Sequence, residues 1–244
     1  MACFDPERRE VVLRIVYDGP ATAGKTANLR ALHAAATSRA LGGVVVPAET
    51  ATGRTLYFDW LELLTGVVDT WPVRCQVLSV PGQLAFAERR FRLLREADAV
   101  VLVCDSTPAG GRPAKTAWTF LSSSLRALQI TETPVLVQAN KQDREGAVPV
   151  SELRALLGVR EGVPVIPAAA TAQEGVLETF LRALREARER VRGILRGGGT
   201  GALPQVTLTA EQLYRAMLSD EESGVEDPAL AGVVETALDE VDRG

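Results

Sequence analysis

Lysine is scarce in this chain. Three lysines stand against twenty-four arginines, so each lysine occupies a place that a planar guanidinium does not fill. Cysteine is also scarce. Cys3, Cys75 and Cys104 are odd in number and widely spaced, which excludes a disulfide framework and a C-x-x-C zinc site. Cys75 and Cys104 lie in apolar runs and read as small buried hydrophobes of a reducing, cytoplasmic setting. The single histidine, His33, falls in an alanine-rich helical stretch and reads as an ordinary helical position rather than a catalytic one. Trp60, Trp71 and Trp118 are scattered, without the basic-aromatic interleaving of single-strand binders, so no nucleic-acid partner is expected. No apolar run is long enough to span a bilayer, so no integral membrane segment is expected. Residues 2–10 lack the apolar core of a signal peptide. Ala2 and the Asp242-Arg243-Gly244 end give no expectation of a lipid anchor.

The 244 residues are 46% hydrophobic, enough for one α/β domain and a small appendage. Apolar, strand-like runs at 11–17, 55–60, 73–80, 99–104, 134–139 and 163–167 alternate with helical patterns at 25–39, 115–128, 151–157 and 171–195. This alternation predicts a three-layer α/β fold: a mostly parallel sheet with helices on both faces. The main domain is expected over 1–196, a flexible Gly-rich linker over 197–205, and an acidic helical extension over 206–244. The extension carries ten acids against two arginines, net −8, whereas residues 1–205 are net +4. Leu230, Val233, Val234, Ala237, Leu238 and Val241 would form an apolar stripe that needs a surface to dock on. The last helix of the main domain carries Arg182, Arg185, Arg188, Arg190, Arg192 and Arg196, laced with Glu178, Glu186 and Glu189; it reads as a solvated face, and a fold-back of the acidic extension onto it is the further hypothesis.

Two of the lysines sit in motifs that carry chemistry. Gly19-Pro20-Ala21-Thr22-Ala23-Gly24-Lys25-Thr26 is a G-x-x-x-x-G-K-[ST] phosphate loop, and it follows a strand and opens a helix, as the motif requires. Gly19 and Ala21, Thr22, Ala23, Gly24, Lys25, Thr26 and Ala27 are therefore expected at the phosphates. Lys25 would reach the β- and γ-phosphates, and the Thr26 hydroxyl would ligate Mg²⁺. Asn140-Lys141-Gln142-Asp143 follows a buried strand at the carboxyl edge of the sheet, where open α/β sheets bind ligands. The Asp143 carboxylate would accept from N1–H and N2–H of guanine, donors that adenine lacks. The stem of Lys141 would cover the ring. The ligand class is therefore GTP or GDP with Mg²⁺. A chance polar turn is the plain alternative for this second motif.

Ser79-Val80-Pro81-Gly82-Gln83 stands where Ras-like GTPases carry D-x-x-G-Q, with Gly82 at the γ-phosphate and Gln83 orienting the attacking water. Ser79 brings a hydroxyl where that pattern has a carboxylate. Together these residues resemble the small Ras-like GTPases of the bacterial gliding-motility type, the MglA family. The resemblance covers roughly residues 10–195. Residues 49–60 (Glu-Thr-Ala-Thr-Gly-Arg-Thr-Leu-Tyr-Phe-Asp-Trp) are similar to that family's T-E-T-D-R-T-L-F-F-D-F, 79–83 to its T-V-P-G-Q, and 15–20 to its I-V-Y-Y-G-P. The resemblance implies that Thr55 is a first-switch threonine on Mg²⁺ and the γ-phosphate, and that Arg54 is an arginine finger supplied in cis. Arg54 in a surface ion pair is the simpler alternative, and Asp59 reads as structural. The family's S-A-K motif is reduced to Ala169-Ala170-Thr171, whose backbone would meet the base. The resemblance also implies a GTP-hydrolysing switch of cell polarity or motility, slow on its own and stimulated by a roadblock/LC7-type partner, with switch segments near 43–56 and 81–95. A nucleotide-bound scaffold with little turnover is the alternative, and an ATP-dependent enzyme is disfavoured by Asn140 to Asp143.

Overall fold

The computed structural model describes residues 1–38, 43–46, 59–80, 87–205, and residues 212, 232, 233, 235 and 239 of the C-terminal extension. Eight strands form one sheet: β1 (Cys3–Asp5), β2 (Glu10–Asp18), β3 (Gly43–Val46), β4 (Asp59–Val68), β5 (Trp71–Ser79), β6 (Ala99–Asp105), β7 (Val135–Asn140) and β8 (Val165–Pro167). The helices are α1 (Lys25–Ser38), α2 (Ala87–Arg95), α3 (Gly111–Ala127), α4 (Val150–Leu157) and α5 (Val176–Gly198). The strand order is β3-β4-β5-β2-β6-β7-β8, with β1 paired to β2. Neighbours from β5 through β8 run parallel, while β1, β3 and β4 pair antiparallel. The mostly parallel sheet expected from the alternation is present.

The central strands explain the apolar runs. β2 is buried along its whole length and β6 through Cys104, because helices cover both faces. Val11, Leu13, Ile15 and Tyr17 join one core with Leu29 and Leu32 of α1 and Phe180, Leu184 and Val191 of α5. Val16 joins the other, with Phe91 and Leu94 of α2, Phe120 of α3 and Leu153 of α4. Burial pushes the Cys75 and Cys104 thiols well above their ordinary range, so they remain protonated and act as core packing.

The antiparallel hairpin β4–β5 departs from the expected pattern. Its first strand runs to Val68, beyond the 55–60 run, and residues 55–58 lie outside the described residues. A register shift between Leu64 and Val67 includes Gly66 at φ 87°, so a bulge interrupts the alternation that would have marked the strand. β1 and β3, of three and four residues, are too short to show a period.

Residues 197–205, expected as a flexible linker, are ordered instead. α5 continues through Gly198, a 3₁₀ turn spans Gly199–Ala202, and Leu203 is buried in the α1/α5 core. Phe4 N–H then donates to Pro204 O at 2.8 Å, tying the segment to β1. Burial of Leu203 and this bond outweigh the flexibility of the glycines. In the extension, residues 212, 232, 233, 235 and 239 are helical, and Val233 is buried in the core that includes α2, α3 and α4. Val233 thus lies across the sheet from the basic helix α5. The other stripe residues lie outside the described residues. Among the described residues no helix is long and apolar enough to cross a membrane.

Candidate nucleotide site

The carboxyl ends of β2, β6 and β7 converge on one edge of the sheet. β2 ends at Asp18 and leads directly into the phosphate loop, which opens α1 at Lys25. Gly19 has φ 137°, and a Cβ there would lie 2.2 Å from Val103 O of β6. Only glycine lets the chain turn this close beneath the sheet edge. Gly24 has φ 104°, and a Cβ there would lie 2.2 Å from Asn140 Nδ2. The loop therefore presses on the neighbouring strands at both of its glycines. Its peptide N–H groups lie at the start of α1, where the positive end of a helix favours an anion.

Lys25 is buried, and its Nζ donates to Gly19 O at 2.9 Å and Pro20 O at 2.7 Å. Burial brings its pKa down to about 8. The Asp18 carboxylate works against this, the Arg90 guanidinium with it, and Asp59 against it. The Thr26 hydroxyl donates to Asp59 Oδ2 at 2.6 Å. Asp59 is paired across the hairpin with Ser79. A carboxylate on β4 therefore stands beside the position where β5 offers only a hydroxyl. By sequence Asp59 reads as structural, and only the antiparallel register reveals its place beside Thr26.

Asn140, in the motif expected to read the base, also ties two segments of the protein together. Its Nδ2 donates to Ala23 O of the phosphate loop at 2.7 Å, and its Oδ1 accepts from Ala170 N–H at 3.0 Å. Asn140 is 2% exposed. It works as a strut that joins the phosphate loop to the 169–170 segment, and its second Nδ2 proton is left for a ligand. Behind it, Gln138 Nε2 donates to Asn28 Oδ1 at 2.9 Å and Thr179 Oγ1 at 3.1 Å, and Asn28 Nδ2 donates to Gly24 O at 3.0 Å. This buried polar chain fixes α1 to β7 and α5. No local motif announces it, because its members lie 41 and 110 residues apart.

Lys141 has φ 67°, and its Nζ lies 2.6 Å from Asp105 Oδ2 at the end of β6. Burial works to raise the Asp105 carboxyl, but hydrogen bonds from Lys141 and Thr107 outweigh it and hold its pKa below the usual range. Asp143 is exposed. Its Oδ2 accepts from Thr171 Oγ1 at 3.5 Å and lies 3.9 Å from Arg144 Nε. Ala168 N–H donates to Ala139 O and Gln142 N–H to Ala168 O, which bind the 140–143 turn to the buried Ala169 and Ala170. Gly19 through Ala27, Asn140, Lys141, Asp143, Ala169 and Ala170 are thus brought to one edge. Arg54, Thr55, Gly82 and Gln83 lie outside the described residues.

The residues present fit a magnesium ion. Thr26 and Asp59 supply hard oxygen donors at the helix start, the donor type of a cation that also binds through substrate phosphates.

Comparison with known proteins agrees with this geometry. The sequence model of the ADP-ribosylation factor (Arf) family matches residues 67–186. The chain is 32% identical over 182 residues to the mutual gliding-motility protein MglA of Myxococcus xanthus, covering 74% of this chain and 92% of that protein. It is also 35% identical over 140 residues to peptide chain release factor 3 of Lactobacillus delbrueckii subsp. bulgaricus, covering 50% of this chain and 25% of that protein. The same factor of Lacticaseibacillus casei is 34% identical over 135 residues, with 48% and 24% covered.

Proposed function

The chain belongs to the family of Ras- and Arf-like small GTPases that includes MglA, and from that premise we propose that it is a GTP-hydrolysing switch of bacterial cell polarity or motility. Lys25 and the amides from Ala21 to Ala27 hold the phosphates. Thr26, Thr55 and Asp59 serve Mg²⁺, the last through its contact with Thr26. The ion, when bound, neutralises charge on the β- and γ-phosphate oxygens. Asp143 selects guanine and Lys141 covers the ring, while the N–H groups of Ala169 and Ala170, expected at its edge, are taken by Glu174 O and Asn140 Oδ1. By resemblance, Gln83 places the water and Arg54 stabilises the transferring phosphoryl. A roadblock/LC7-type protein accelerates a slow intrinsic turnover in the cytoplasm. The carrying observation is the Asn140 strut, which holds the phosphate loop and the 169–170 segment in one frame.

Calorimetry with GTP and ATP, followed by single-turnover hydrolysis of the GTP complex with and without a roadblock partner, tests this reading. GTP is expected to bind on the order of 10⁴-fold tighter than ATP, because an unpaired carboxylate penalises adenine. Asp143→Ala is expected to remove most of that preference. Equal affinity of the wild-type chain for ATP and GTP would overturn the reading, and absence of phosphate release under both conditions would leave a nucleotide-bound scaffold.

The pH dependence has a definite sign. Phosphate binds the protonated Lys25, and in the free protein that ammonium is lost as the pH passes about 8. Below this value binding needs no proton. Above it each binding event takes one up, so affinity falls with rising pH. GTP affinity is expected to be about tenfold weaker at pH 9 than at pH 7, with net proton uptake by calorimetry in buffers of different ionisation enthalpy. A flat profile over this range would show that Lys25 stays charged in the free site.

A further inference from the structure

A buried ion pair lies directly below the phosphate loop. Asp18, the residue before Gly19, is 0% exposed, and Arg90 of α2 is 2% exposed. Arg90 Nε donates to Asp18 Oδ1 at 2.9 Å and Nη2 to Oδ2 at 3.0 Å, so the fork occupies both carboxylate oxygens. The guanidinium carbon lies 4.2 Å from the ring centroid of Phe120 on α3. The aromatic face thus holds the cation in place from the far side.

As a source of stability the pair is poorly chosen. Desolvating two charges offsets most of their attraction, and an apolar pair of the same size holds a core together at least as well. Its place suggests another use. A carboxylate under a polyphosphate site repels the ligand and competes with it for the nearby ammonium. Lys25 lies within the field of both groups, and they act on it with opposite signs. Its Nζ is held by Gly19 O and Pro20 O, while the Asp18 oxygens are taken up by Arg90.

We propose that Arg90 is a positioning residue of the nucleotide site: by holding both oxygens of Asp18 it keeps Lys25 free for the phosphates, and it makes nucleotide affinity depend on the placement of α2. The inference rests on the phosphate-binding role of Lys25. It extends that role, because α2 comes after the 79–83 segment that the resemblance places at the γ-phosphate. Any movement of α2 that strains the fork changes the charge beneath the phosphate loop.

The test uses the full chain, a fluorescent GDP and a fluorescent non-hydrolysable GTP analogue, with melting followed by circular dichroism. R90M leaves Asp18 uncompensated and is expected to weaken both nucleotides at least about tenfold, the triphosphate more. The double variant D18N/R90M removes both charges and is expected to bind within about threefold of wild type. R90K keeps the charge but loses the fork, and should fall between. If R90M does not fold, R90K takes its place in the comparison with the double variant. A folded R90M or R90K that binds like wild type overturns the inference, as does a double variant as weak as the single. A wild-type chain that binds neither nucleotide overturns the proposed function and this inference together.

Discussion

Asn140→Ala is expected to empty the site of GTP and ATP alike, and to lower the melting temperature by roughly 10 °C. The side chain satisfies two backbone groups at once, Ala23 O and Ala170 N–H, at 2.7 and 3.0 Å. Asn140 is buried, so both groups lose their partners on truncation. Each such loss costs about 1–3 kcal/mol, together a large share of the stability of a small domain. Asn140→Asp separates the two bonds. It still accepts from Ala170 N–H, but it turns an anionic oxygen toward Ala23 O and should fail at the phosphate loop. The measurement is retained nucleotide on purification, with melting by circular dichroism. A base-reading Asn140 would change the ratio of GTP to ATP affinity, whereas a strut lowers both and leaves the ratio alone. Unchanged retention in Asn140→Ala would remove the strut from the account of the site.

This contrast marks how far local pattern reaches. The phosphate loop and the 140–143 turn are local, so spacing and strand context are enough to place them at one sheet edge. The buried runs of β2, β6 and β7 announce a sheet covered on both faces. Local pattern does not show which atoms meet. Asn140 sits in a motif that reads as base-contacting, yet its partners lie 117 and 30 residues away. Asp59 reaches Thr26 across 33 residues because β4 runs antiparallel to β5, and the bulge near Gly66 hides that strand. Asp18 adjoins a legible motif, but Arg90 enters from 72 residues along the chain. The glycines at 197–201 read as a linker because composition is visible in a sequence and the burial of Leu203 is not. Interactions of high sequence separation are selected by packing, and no window of ten or twenty residues contains them.

Gly19→Ala is expected to be severely damaging for the addition of one methyl group. The backbone at Gly19 has φ 137°, a region that residues with a Cβ seldom enter, and the new methyl would lie 2.2 Å from Val103 O. The obstacle is backbone in the middle of the sheet. Val103 belongs to β6 and is 0% exposed, so it has no room to retreat. Relief must come from the phosphate loop, which would lift away from the sheet and carry Gly19 O and Pro20 O away from Lys25 Nζ. Backbone strain plus overpacking costs on the order of 3 kcal/mol or more. A fall in melting temperature of roughly 10 °C and a loss of GTP affinity of at least about a hundredfold are expected. Gly193→Ala is the matching control. That glycine lies inside α5 with no atom within 4 Å of its would-be Cβ, and its φ is not positive. Alanine there should stabilise the helix by about 0.5–1 kcal/mol and leave nucleotide binding alone. Calorimetric GTP titration and thermal melts of the two variants decide the matter. A Gly19→Ala chain that binds GTP as tightly as Gly193→Ala would mean that the close approach to β6 does not set the shape of the phosphate loop.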